Sequence, residues 1–276
     1  MRLLDRRGGR SVLGAIATQV VRHNSREDIS ITYSAGLWTR RVGEYYLPDG
    51  RKFKYVYSDF GAWKREIEWR EADAREFWLR HYRPKEGDVI FDVGAGRGED
   101  ILTFSRTVGR AGRVIAIEAD PVSFAYLRSF CRLNKLENTV PLHVAAMDKP
   151  GLVRIREGSS WTENSIRVGD DGVAGAKVRA DTIDAICCNL GVEEIAFLKM
   201  NIEGAERYAL KGMRATMPRV RQLCVACHDF RADEGDGDAF RTRGLVEDIL
   251  RQNGFSLDSR PDDPRPYVRE HLFGLR

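Results

Sequence analysis

Cysteine is scarce in this chain and odd in number. There are five, two of them adjacent at Cys187 and Cys188, so no disulfide framework is suggested and a reducing cytoplasm fits best. No internal repeat or low-complexity tract occurs, which excludes a repeat array. A long apolar run is also missing. The stretch at residues 11–21, behind Arg6, Arg7 and Arg10, is interrupted by Thr18 and Gln19 and is too short to span a bilayer. Its small residues fall inside the apolar segment, so a short amphipathic helix is expected there, with neither a signal peptide nor stable membrane insertion. Strong charge of one sign is absent as well. A net charge of +4 and a pI near 8.8 permit an acidic partner without demanding nucleic acid, and no nucleic-acid partner is expected. The first 26 residues hold six arginines against Asp5 alone, a solvated segment or a surface for an acidic partner.

What is present is a soluble composition, 42% apolar and 31% charged over 276 residues, enough for one large α/β domain with an extension. One stretch organises the rest. The apolar run from Val89 ends in Asp92-Val93-Gly94-Ala95-Gly96-Arg97-Gly98-Glu99-Asp100, and a helical pattern of Ile101, Phe104, Ser105 and Val108 follows. A buried strand feeding a helix through a glycine turn is how open α/β sheets build nucleotide sites, with glycine where a ligand must approach the backbone. The spacing is G-x-G-x-G, not the G-x-G-x-x-G of dinucleotide folds, and it suits S-adenosylmethionine-dependent methyltransferases. Arg113-Val114-Ile115-Ala116-Ile117-Glu118 reads as a second buried strand, and its terminal carboxylate is placed to accept hydrogen bonds from both ribose hydroxyls.

Residues 1–84 are expected to form an extension: a basic helix, a hairpin over residues 45–57 turning at Pro48-Asp49-Gly50, and a helix over 61–82. Residues 85–276 are expected to form the cofactor-binding domain, with strands and helices alternating and a β-rich insertion at 149–180. Core strands are read at 139–146, 194–200 and 220–227, and an antiparallel hairpin closes the chain at 255–259 and 267–274. Cys224-Val225-Ala226-Cys227-His228 spells a haem-attachment string, but it overlaps the buried fifth strand, so haem is not expected.

Four blocks in order resemble the FkbM-type S-adenosylmethionine-dependent methyltransferases: Asp92 to Asp100; Ile117-Glu118-Ala119-Asp120-Pro121 with Phe124 and Leu127; Thr182-Ile183-Asp184; and Phe197-Leu198-Lys199-Met200-Asn201-Ile202-Glu203-Gly204-Ala205-Glu206. The resemblance implies a Rossmann-like α/β fold with a seven-stranded sheet in the order 3-2-1-4-5-7-6. It also implies O-methylation of a small-molecule hydroxyl on a sugar, polyketide or other natural product. One residue departs from the family, which usually carries aspartate where this chain has Asn201. Asparagine can neither act as a base nor serve as an anionic metal ligand.

S-adenosylmethionine is therefore the expected cofactor. Its candidate contacts are Asp92, Gly94, Ala95, Gly96, Gly98, Asp100, Glu118, Ala119 and Met147, with Asp148 accepting from the adenine amino group. Methyl transfer needs an aligned acceptor oxygen and a route for its proton. His228 is the preferred general base because its ordinary pKa lies near neutrality, the alternative being a hydrogen-bonded histidine at a strand end. Asn201, Lys199 and Glu203 complete the catalytic set, and Lys199 and Glu203 either orient the acceptor or pair with each other. Glu206 reads as structural. Trp161 and Asn164, in the insertion, are candidates for gripping the acceptor. A divalent metal on Glu203, His228 and Asp229 is conceivable but not favoured. A nicotinamide dehydrogenase, an amino-methyltransferase of nucleic acids and a cytosine C5 enzyme each lack their own motif here. The alternative is a cofactor-binding module with impaired catalysis, motivated by Asn201.

Overall fold

The computed structural model describes residues 7–25, 28–34, 36–50, 62–156, 165–167 and 175–276. The chain divides into two compact units, one formed by residues 1–72 with 128–136 and the other by 73–127 with 137–276.

In the smaller unit, helix α1 (Arg7–Ser25) precedes a three-stranded antiparallel meander of β1 (Ile29–Ser34), β2 (Leu37–Val42) and β3 (Tyr45–Gly50), and α2 spans Ala62–Asp73. Ala17 and Val21 on α1 bury against Ile29, Ile31 and Trp38, the helix period of one element meeting the strand period of the other. The expected hairpin is displaced. Tyr45–Gly50 pairs back on Leu37–Val42, so the turn falls at Gly43 (φ 57°), whose backbone suits that bend. Pro48 sits within the β3 ladder, where the register shifts between Trp38 and Thr39. The second run of that hairpin, residues 51–57, lies outside the described residues.

The larger unit opens with a π-helical turn, Ala74–Trp78, in place of a continuous helix to residue 82. Then follow β4 (Val89–Val93), α3 (Ile101–Val108), β5 (Arg113–Glu118), α4 (Pro121–Leu133), β6 (Thr139–His143), β7 (Ala145–Ala146), β8 (Gly151–Arg156), β9 (Ser165–Arg167), β10 (Ala176–Asp181) and α5 (Ile183–Leu190). The chain continues through β11 (Ile195–Met200), α6 (Glu206–Lys211), β12 (Val220–Ala226), α7 (Asp229–Asp233), α8 (Arg243–Gln252), β13 (Ser256–Ser259), α9 (Pro266–Arg269) and β14 (His271–Leu275). Seven strands form one sheet in the order β6-β5-β4-β11-β12-β14-β13, parallel from β6 to β12 and antiparallel at β14. Counted by this sheet's own strands the order is 3-2-1-4-5-7-6, and the chain-wide labels differ because β7 to β10 belong to a second sheet.

Parallel strands covered on both faces read as unbroken apolar runs, which is why β4, β5 and β11 stand out in the sequence. The expected third strand is split. After His143 the chain leaves the main sheet, and Ala145–Ala146 pairs with β10 in a four-stranded sheet ordered β7-β10-β8-β9. Close backbone contact holds this junction, since a Cβ on Gly212 would lie 2.0 Å from the Met147 carbonyl oxygen. Gly212→Ala should therefore cost roughly 1–3 kcal/mol through overpacking. Gly244, in α8 with open space at its Cβ, should gain about 0.5–1 kcal/mol on the same change. Urea unfolding of the two variants checks the contrast, and equal shifts would show that the Met147 contact relaxes freely.

Candidate active site

Four strands of the main sheet end at the same level. Their carboxyl ends feed the glycine turn after β4, Glu118 at the end of β5, Asn201 after β11 and His228 after β12. A cleft of about 200 Å³ opens above the first three. About 10–15 Å³ on this scale holds one water, so the cleft is ligand-sized.

The floor is a buried charge cluster. Asp92 on β4 and Lys199 on β11 are register partners. The Lys199 Nζ lies 2.8 Å from Asp92 Oδ1 and 3.4 Å from Asp100 Oδ2, donates to the Gly94 carbonyl at 2.9 Å, and sits 4.9 Å from the Trp78 ring centroid. Burial by itself would lower the Lys199 pKa, but Asp92 and Asp100 outweigh it and hold the ammonium above its ordinary value. Burial pushes Asp92 up to about 6 against the pull of Lys199. Lys199 thus pairs with Asp92 and Asp100, not with Glu203 as one expectation had it.

Glycine at position 94 has a different cause from the one the motif suggested. At φ 82°, a Cβ there would lie 1.9 Å from the Asn201 carbonyl oxygen, so the next strand's chain, not a ligand, forbids a side chain. Glu118 Oε2 accepts from Gly96 N at 2.7 Å and Oε1 from Asp120 N at 2.7 Å. Burial raises its carboxyl to about 7. Asp120 caps α4 by accepting from Ser123 N at 2.7 Å, and both residues line the cleft.

A second cluster borders the cleft at Glu203. His228 lies 3.1 Å from Glu203 Oε1 and 2.9 Å from Glu206 Oε1, while Arg231 holds Glu203 Oε2 at 2.6 Å. Glu206 is fully buried and also accepts from Gly204 N at 3.2 Å. Burial alone would lower His228, but Glu206 and Glu203 outweigh it and raise it to about 10. The expected general base is therefore a buried cation, and it does not line the cleft. Asp229 Oδ2 accepts from Thr242 N and Arg243 N, which places it at the start of α8.

The cleft gathers Gly94, Ala95, Gly96, Asp100, Glu118, Ala119, Lys199, Asn201 and Glu203 from the sequence-derived set. Asp92 lies beneath it. Gly98 and Met147, both buried, are not part of its wall, and neither is Asp148, which the chain leaves exposed after turning into the second sheet past His143. Trp161 and Asn164 lie outside the described residues. Sequence reasoning missed Trp78, Asp120, Ser123, Val144, Ile155 and the Arg231 clamp. Only Asp120 left a signal, as a helix-capping aspartate before Pro121 and Ser123. Asn201 Oδ1 is a buried acceptor with no hydrogen bond, in the cleft wall.

A mostly parallel sheet with a glycine turn, a buried carboxylate at the end of the next strand and an acid-lined cleft matches the architecture of S-adenosylmethionine-dependent methyltransferases. The chain matches the family model of the methyltransferase FkbM domain over residues 92–257, more than half its length, and belongs to that family. It is 32% identical over 87 residues to the AMB antimetabolite synthetase AmbE of Pseudomonas aeruginosa, covering 31% of this chain and 4% of the synthetase. It is 25% identical over 113 residues to the tRNA(Phe) (4-demethylwyosine(37)-C(7)) aminocarboxypropyltransferase of Methanocaldococcus jannaschii, covering 38% of this chain and 45% of that one. The chain thus spans less than half the length of either relative. In fold it is similar to Aeropyrum pernix fibrillarin with bound S-adenosyl-L-methionine, at 13% identity and a TM-score of 0.45, covering 90% of this chain and 98% of that one.

The His228 cation links this site to stability. A folded-state pKa of about 10 against 6.5 means the stabilisation is complete below pH 6.5 and lost as pH rises through 10. Wild type should exceed His228→Gln by about 3–5 kcal/mol at pH 6, the cost of breaking a buried pair, and the gap should narrow toward pH 10. Urea titrations across that range check it; a gap independent of pH would mean His228 is neutral in the fold.

Proposed function

We propose that this protein transfers a methyl group from S-adenosylmethionine to a hydroxyl of a small molecule. The observation that carries the reading is the acid-walled cleft in which Glu118 is held by two backbone N–H groups. Each of its oxygens keeps a second lone pair for a ribose hydroxyl. Among the described residues, Glu99, Asp100, Glu118, Asp120 and Glu203 line the cleft against one cation, Lys199, which already faces Asp92 and Asp100. Such a wall suits a ligand carrying both a sulfonium and an ammonium. Ile117, Val144, Ala146 and Ile155 supply apolar surface for an adenine ring, in place of the acceptor first expected from Asp148.

Bound there, S-adenosylmethionine supplies a methyl carbon open to in-line displacement. The chain's task is then orientation and proton removal. Asn201, with its free buried acceptor, and Glu203 face the remaining part of the cleft and take the acceptor hydroxyl. Glu203 receives the proton, and the His228 and Arg231 cations fix its carboxylate in place. His228 acts through Glu203 and makes no contact with the reacting atoms.

Because burial raises Glu118 to about 7, affinity for S-adenosylmethionine should strengthen as pH rises through 7 and then level off. Glu118→Gln should bind roughly 10–150-fold more weakly, the worth of hydrogen bonds to a charged group, with the pH dependence gone. Calorimetry measures both, and an unaltered affinity in Glu118→Gln sinks the assignment. For the reaction itself, labelled cofactor is incubated with hydroxylated sugars and polyketides and the products are weighed. A gain of one CH2 fits methyl transfer, and a gain of an aminocarboxypropyl group overturns it.

A further inference from the structure

The larger unit carries a second concavity at the opposite ends of its strands, where β4, β11 and β12 begin. It encloses about 500 Å³, more than the cofactor cleft, and its wall includes Arg83, Lys85, Arg219, Arg221, Gln222 and Arg276. The charge there is lopsided. Asp88 and Glu194 are the acids in the wall, and both engage Arg221. Among the described residues, Arg83, Lys85, Arg219 and Arg276 have no acidic side chain within ion-pair distance. Nothing in methyl transfer at the carboxyl ends accounts for such an array.

Two of the cations are also held in place. Arg219 donates to the carbonyls of Ala215 at 3.2 Å and Glu193 at 3.0 Å. Arg276 donates to the carbonyls of Pro218 at 2.9 Å and Asn253 at 2.7 Å, and its guanidinium lies 4.0 Å from the Phe255 ring centroid. Carbonyls position a guanidinium without neutralising it: Arg219, which also donates to the Val192 carbonyl and Thr216 Oγ1, keeps one N–H unused, and Arg276, which also donates to the Val220 carbonyl, keeps two. Side chains fixed before binding lose little entropy on binding. A further unmet group is Gln222 Oε1, buried in the same wall without a hydrogen bond. Arginine forks match the planar and tetrahedral oxyanions of carboxylate and phosphate. A wall with at least three uncompensated cations, Arg83, Lys85 and Arg219, calls for more than one negative charge.

We infer that this basin binds a phosphorylated ligand with two or more negative charges, of the pyrophosphate or nucleoside diphosphate class. Arg83 and Lys85 are the residues to change, because both are exposed and Arg83 makes only a marginal 3.5 Å bond to the Leu79 carbonyl. Pyrophosphate, ADP and a short single-stranded RNA are titrated separately into the full chain and into a variant combining Arg83→Glu with Lys85→Glu. The expected result is one-to-one binding of pyrophosphate, at least tenfold weaker in the variant, while S-adenosylmethionine binds both proteins alike. ADP binding more tightly than pyrophosphate then identifies a nucleotide as the source of the phosphates. RNA displaced by pyrophosphate identifies a polynucleotide end or backbone. Absence of pyrophosphate binding, pyrophosphate binding that survives the double change, or RNA binding without any for pyrophosphate overturns the inference.

Discussion

The ion pair between Asp92 and Lys199 is the constraint on which the rest of the site depends. Two neighbouring strands at the centre of a buried sheet each give up an apolar position to a charge. Desolvating two ions costs several kcal/mol apiece, and replacement of such pairs by apolar residues is often neutral or stabilising. Stability alone therefore does not explain it; geometry does. One ammonium touches the floor of β4, the carbonyl of the glycine turn and the Asp100 carboxylate before α3, so strand, turn and helix are referred to a single point on β11. The same strand then delivers the Asn201 carbonyl so close to Gly94 that no side chain fits there. The turn is shaped from below and from the side before any ligand arrives.

The two polar clusters differ in balance, and that difference assigns their roles. Around Glu203 and Glu206 stand two cations, His228 and Arg231, so each of these two carboxylates has a cation beside it, while Arg231 also reaches the half-exposed Asp236 on its outer side. Around Lys199 stand Asp92 and Asp100, leaving one negative charge in excess beneath the cleft, with Glu118 beside it. In a partly desolvated cleft charges act more strongly than in water, so an excess of this kind selects the sign of its ligand. The Glu203 cluster holds a loop in an unusual conformation: Glu203 has φ 52°, a region costly for a residue with a side chain, and Gly204 follows at 94°. Three charged partners restrain that bend, which brings Glu203 to the cleft wall.

The strands of the sheet were legible because a parallel strand buried on both faces cannot alternate, and residues 89–93, 113–118 and 195–200 are nearly continuous apolar runs. Glu118 was legible from its distance to the glycine turn. The role of His228 was not, because its charge state depends on Glu203 and Glu206, which only the packing of α6 against the end of β12 brings beside it. Asp148 was misplaced for a topological reason: the run from 139 to 146 looks like one strand, yet it serves two sheets, and past the switch at Val144 the chain keeps Ala146 and Ile155 at the cleft but leaves Asp148 exposed outside its wall. Trp78 gave no warning, since a π turn has no sequence period of its own and the residue precedes the motif.

The same sheet and turn in dinucleotide-binding folds hold a pyrophosphate, and the reason this cleft differs lies at the start of α3. A helix N-terminus exposes unpaired N–H groups and the positive end of the macrodipole, a natural seat for an anion. Here Glu99 and Asp100 occupy that position in the chain itself. Glu99 Oε2 takes the Arg97 N–H at 2.9 Å, and Asp100 lies against Lys199. With two carboxylates already at the helix end and further acids on the wall, an incoming phosphate would meet repulsion where a dinucleotide fold offers attraction. The G-x-G-x-G spacing and the acids behind it are therefore two parts of one device, which keeps the backbone approach of a nucleotide fold while reversing the charge of the ligand it admits.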